Sequence, residues 1–153
     1  MPAMRRLLAL AVAGSLASCA GGAGKLEVKQ FTLRDTEAQA GDDPMVRGEK
    51  RRLLHGAVSV AEQRQLLGQY YTVLWQDESA GGPMEVVFEY QQGASGSKVK
   101  RAVQRFAAGE TSGRAEFRVI GDDYTKGGRV LAWRIALVRG GHELASRRSY
   151  LWR

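Results

Sequence analysis

The chain has 153 residues, with 23 Lys and Arg against 16 Asp and Glu, a formal charge of +7, 44% apolar residues and one cysteine. That length supports one domain with one core and not two, and the composition is that of a folded globular chain rather than a disordered tail. A single cysteine excludes an internal disulfide and a two-cysteine zinc site.

The first residues read as an export signal. Arg5 and Arg6 give a positive start, Leu7 to Ala17 a short apolar run, and small residues close it before Cys19. The run is too short to cross a bilayer as a helix, which needs about 20 residues. With Leu16-Ala17-Ser18-Cys19 at its end, the stretch resembles the bacterial lipoprotein class, whose lipobox ends in a small residue and a lipid-modified cysteine. The resemblance covers the first two dozen residues. It implies cleavage before Cys19 (residues 1–18 being the signal peptide) and acylation of its thiol and new amino group, so that Cys19 becomes the membrane anchor. The alternative is an ordinary secreted protein cut near Ala20. In the lipoprotein class an aspartate after the cysteine often marks inner-membrane retention; Ala20 stands there, which by resemblance places the protein at the outer membrane, facing the periplasm.

Residues 19–24 form the lipidated tether. Ala20 to Gly24 is small and glycine-rich, and five residues reach at most ~18 Å, so the domain of residues 25–153 is expected close to the bilayer. Loss of Arg5 and Arg6 with the signal lowers the charge to about +5. A modest basic excess suits an anionic lipid surface, and an exported chain has no nucleic acid to meet.

Lys25 to Arg34 reads as a first strand in which Leu26 and Val28 take one parity and Phe31 and Leu33 the other, the signature of a β-bulge near Lys29-Gln30. Residues 35–44 are polar and turn-like, and Asp42-Asp43 before Pro44 are turn formers. In Met45 to Ser59 a basic run, Arg47 to Arg52, precedes an apolar segment that reads as a buried strand over Leu53–Val58. Ser59-Val60-Ala61-Glu62 is a capping box, and one short helix is expected over Val60–Leu67. Tyr70–Gln76 is aromatic and β-branched, and Met84 to Gln91 alternates cleanly; both are strands. Lys98–Ala107 fits a strand or a helix, with strand preferred between its β neighbours. Ala115, Phe117 and Val119 alternate, and 122–128 is a loop.

Arg129–Arg139 and His142–Trp152 flank Gly140-Gly141, a two-residue hairpin loop. Pairing Arg139 with His142 sets Leu137 opposite Leu144, Ile135 opposite Ser146, Trp133 opposite Arg148 and Leu131 opposite Tyr150, which allows a Trp133–Arg148 cation–π contact.

Seven to eight short strands with one helix indicate an all-β, antiparallel β-sandwich. It resembles the immunoglobulin or fibronectin type III architecture, with Trp75 in the place of the core tryptophan and Tyr124 in that of the tyrosine corner, and without the inter-sheet cysteine pair. A small closed barrel is the alternative.

Catalytic patterns are sparse. There is no GxSxG, no HExxH and no phosphate loop, only His55 and His142 are available as imidazole bases, and no metal or cofactor is expected. A cryptic enzyme would depend on one of those histidines. The aromatic residues exceed what short strands need for packing. Tyr70 and Tyr71 face opposite ways in one strand, so at least one is expected at the surface. With Arg147, Arg148 and Trp152 they form the expected interaction surface. The expectation is therefore a non-enzymatic, membrane-anchored envelope protein that docks another envelope protein. The alternative is a module that binds peptidoglycan or lipopolysaccharide through Tyr, Trp and Arg.

Overall fold

A computed structural model describes residues 25–37, 39–79 and 81–153; the signal, Cys19 and the tether lie outside them. The strands are β1 (Lys25–Leu33), β2 (Gly68–Gln76), β3 (Met84–Gln92), β4 (Lys100–Phe106), β5 (Ser112–Ile120), β6 (Val130–Arg139) and β7 (His142–Arg148). They form two antiparallel sheets, β1-β2-β5 and β4-β3-β6-β7, packed face to face. The protein is an antiparallel β-sandwich.

Alternation along each strand builds the core in layers. Across the first sheet Leu26, Trp75 and Gly113 lie in register, then Val28, Val73 and Ala115, then Gln30, Tyr71 and Phe117. Phe88, in the opposite sheet, is buried between them: its ring lies 4.6 Å from Tyr71 and 5.2 Å from Phe117. Trp75 packs edge-on against Phe106 at 5.0 Å. Buried glutamines add polar links. Gln69 of β2 accepts the Val130 N–H of the other sheet at 2.6 Å, and a paired buried amide of this kind costs far less than an orphaned one. The sandwich is laced along both sides as well, since Arg147 Nε donates to the Leu26 carbonyl between β7 and β1, and Glu116 N donates to Gln104 between β5 and β4.

The Gly140-Gly141 loop is a hairpin turn with φ of 56° and 80°, the doubly left-handed geometry that favours glycine. Arg139 does pair with His142, but Leu144 is an extra residue on β7 and shifts everything after it. Leu137 therefore faces Ala145, Ile135 faces Arg147 and Arg134 faces Arg148. The expected Trp133–Arg148 contact is not made; Trp133 instead meets Tyr71 at 5.8 Å.

Helices depart most from expectation. Leu53–Val58 is not a strand. Residues Pro44–Leu54 form α1, capped where Asp43 accepts the Met45 N–H at 2.8 Å, with Pro44 at the first turn and Arg51 and Arg52 in the last. Its apolar residues are too few and too spaced to show as a helical stripe, which is why composition hid it. The capping box is present, Ser59 and Glu62 bonding each other's backbone, and α2 runs Val60–Gln65. The loop 122–128 holds a third helix, α3 (Gly121–Gly127), whose first turn carries Asp122 and Asp123, favourable at that pole of the dipole. Tyr124 sits inside α3, not at a strand-entry corner. The bulge expected in β1 is absent, because β1 pairs with β2 without a break. Phe31 is out of phase for another reason: α1 gives the outer face of that sheet something apolar to meet.

Gly68 begins β2 at φ 148°, and a Cβ there would lie 2.2 Å from the Val119 carbonyl oxygen. Gly68→Ala should therefore destabilise the fold by more than about 1 kcal/mol, measured by chemical denaturation. Tyr71 hydroxyl is buried with no hydrogen-bond partner, so Tyr71→Phe should leave stability unchanged or raise it by up to about 1 kcal/mol.

Candidate functional site

The outer face of β1-β2-β5 carries a groove. Its floor is the outward side of β2, Tyr70, Thr72 and Leu74, with Phe31 of β1 beside them. One wall is α1, through Met45, Val46, Glu49 and Arg52, and Lys29 and Arg114 stand at the rim. The volume near α1 is about 460 Å³, within the roughly 300–1,000 Å³ usual for ligand sites. Leu74 and Arg114 also line a broader hollow that runs on toward Lys25 and rounds the sheet edge onto Leu144–Arg147 of β7. Met45 at the mouth is 83% exposed.

A buried lysine positions α1. Lys50 Nζ donates to Asp35 at 2.7 Å, Asp42 at 2.9 Å and the Glu37 carbonyl at 3.0 Å. Three acceptors meet the three donors of an ammonium, so the loop after β1 is tied to the middle of the helix. Hydrogen bonding to Asp35 and then Asp42 raises the Lys50 pKa, and the bond from Lys50, with that from the Gln39 backbone, lowers that of Asp42.

Glu116 organises the charge around the groove. It pairs with Arg114 at 2.5 Å and Arg118 at 3.3 Å, while Arg52, 3.9 Å away, also pairs with Glu49 at 2.6 Å. Burial pushes the Glu116 carboxyl up, but hydrogen bonds from Arg118 and Arg114 outweigh it and hold the pKa below the usual range. Arginines that share one carboxylate leave donors free, so the rim keeps a positive excess over an apolar floor.

The residues singled out from sequence do not form one surface. Tyr71 lies in the core and Tyr70 under α1, where its hydroxyl donates to the Leu66 carbonyl and Arg118 lies 6.0 Å from its ring. Both are buried, contrary to expectation, because each side of β2 has its own cover. Arg147 reaches across to β1, Arg148 is exposed on β7, and Trp152 is half-buried beyond it. His55 follows α1 and His142 opens β7, at opposite ends of the sandwich, so no paired imidazole site arises. Among the described residues there is no cluster of His, Cys, Asp and Glu fit for a metal, and no helix long and apolar enough to cross a membrane. The groove residues Phe31, Met45, Val46 and Leu74 were missed. Their signal was the out-of-phase Phe31 together with apolar residues on both parities of β2.

No protein-family model matches the chain, and no curated protein matches it. A solved structure, the crystal structure of β-D-glucoside glucohydrolase from Trichoderma reesei, overlaps it with a TM-score of 0.36 at 12% identity, over 82% of this chain and 18% of that one. An overlap of that size fixes no shared chemistry.

Lys50→Met should loosen α1 and the 35–42 loop, seen as faster proteolysis there and a lower melting temperature at pH 7. The pH dependence follows from the shifts. The lowered Asp42 pKa contributes stability above its unfolded value that is lost as pH falls through the folded one. The raised Lys50 pKa contributes stability below its unfolded value that is lost as pH rises through the folded one. Wild-type stability should therefore fall at both acid and strongly alkaline pH, and Lys50→Met should flatten both limbs in melts across pH.

Proposed function

We propose that this chain is a lipid-anchored envelope protein whose sandwich is a non-enzymatic interaction module, held to the outer membrane through Cys19. The observation that carries the reading is the groove between α1 and the outer sheet face, an apolar floor under an arginine-rich rim. A sandwich buries its inner faces against each other; an outer face with its own helix wall and a half-buried apolar floor is a surface suited to contact. The strand order supports a fibronectin type III-like or immunoglobulin-like module, since β1-β2-β5 over β4-β3-β6-β7 corresponds to A-B-E over C′-C-F-G. Apolar floor and basic rim favour a protein partner that offers apolar and acidic side chains. A glycan seated in this groove would need an open aromatic face there, and Tyr70 is buried while Phe31 is only half-exposed.

In-cell cross-linking of tagged protein, then purification and mass spectrometry, tests this, with Cys19→Ala as control. The anchored form should yield one specific envelope protein and the control should not. Met45→Glu places an anion at the groove mouth on a surface position, so melting should stay within about 0.5 kcal/mol of wild type while partner recovery falls. Anchored protein that emerges alone after cross-linking sinks the reading.

A further inference from the structure

The two ends of the sandwich differ. Lys25 opens β1 opposite Gln76, the last residue of β2, and Gln76 lies opposite Ser112, the first of β5. The 77–83 loop, the 107–111 loop and the 140–141 hairpin therefore share the end where the tether enters. The Asp77–Arg139 ion pair, 2.8 Å long and nearly buried, fastens two of them. At the other end lie α2, α3 and the segment after β7, while α1 lies along the outer sheet face. Apart from Met45 at the groove mouth, the exposed large apolar side chains among the described residues belong to that second end: Val58, Val60, Val99, Leu131, Tyr150 and Leu151.

Charge is segregated there too. Leu131 is 54% exposed, Leu151 61% and Tyr150 99%. Ser149, hydrogen-bonded to Trp133, holds the segment that carries Tyr150 and Leu151 beside the start of β6. Arg129, Arg148 and Arg153 flank these residues, and among the described residues none has a carboxylate at ion-pair distance. The acids nearby are already taken, Asp123 by Lys100, Asp122 by Lys126, and Glu89 and Glu143 by Arg134. Apolar side chains among unpaired arginines make a surface complementary to apolar and acidic groups.

We propose that the sandwich stands end-on, with the 77–83, 107–111 and 140–141 loops toward the lipid headgroups, and presents Leu131, Tyr150 and Leu151 among Arg129, Arg148 and Arg153 to an acidic, apolar protein surface. This rests on Cys19 being the anchor. In that stance a nine-residue strand, about 30 Å long, separates this patch from the bilayer, while a tether of at most ~18 Å keeps the opposite end at the headgroups. Its counterpart is therefore a protein rather than that membrane.

The test uses the lipidated protein in phosphatidylethanolamine/phosphatidylglycerol vesicles. A fluorophore is placed on Glu78→Cys or on Tyr150→Cys, with bromolipid as quencher. The label at 78 should be quenched and that at 150 should not. Protein that does not stay with the vesicles defeats the anchor reading itself, whereas retained protein quenched at 150 defeats only the end-on arrangement. A labelled peptide alternating Glu and Leu should bind the vesicle-bound protein, and its Lys counterpart should not. R129E/R148E/R153E should weaken that binding at least tenfold, and Y150S/L151S should weaken it without changing the melting temperature. Binding unchanged in both variants overturns the proposal. So does arginine-dependent flotation of soluble Cys19→Ala protein with the same vesicles, which assigns the patch to lipid.

Discussion

The contact on which the structure depends is the meeting of Phe88 with Tyr71 and Phe117 between the sheets. Neither sheet can bury its apolar face alone, and with no disulfide available the sandwich is held by packing. Aromatic rings at these separations add to plain area burial. Phe88 also stacks on Tyr90 at 4.8 Å, so the cluster reaches along β3 toward the polar network at its end. There Tyr90 donates to Asp123 at 3.1 Å, and Gln92 donates to the carbonyls of Asp123 and Gly128. Core and α3 are thus one unit, which explains why a short helix of modest propensity is stable there.

Because the inner faces satisfy each other, what remains for function is the outside. On one sheet that outside is partly covered by α1, and the helix is fastened to the 35–42 loop by the three bonds of Lys50. A helix held by an ammonium can leave its apolar flank partly open, and the groove of Phe31, Met45, Val46, Tyr70 and Leu74 is the result.

Much of the framework was legible in the sequence. Period-two alternation placed β3 and β5, the paired glycines placed the β6–β7 turn, and Ser59 with Glu62 placed the start of α2. Each signal is local. The readings that failed depended on partners distant in sequence. Phe31 looked like the product of a bulge because its partner helix was not visible, α1 looked like a basic run before a strand, and Leu144 gave no sign that it would shift the hairpin register. Almost nothing of the groove could be read in advance, since its lining comes from β1, α1, β2 and β5, and no spacing rule relates them.

By itself, then, the sequence determined the fold class, the strand alternation and the resemblance of its first residues to a lipoprotein signal. These rest on side-chain periodicity and short motifs that need no tertiary partner. Only the tertiary structure decided which aromatic residues are buried, that Tyr70 and Tyr71 both are, and where apolar surface and unpaired charge remain. Exposure is set by whatever lies opposite a residue, and in a sandwich of mostly long-range contacts that neighbour is far away along the chain.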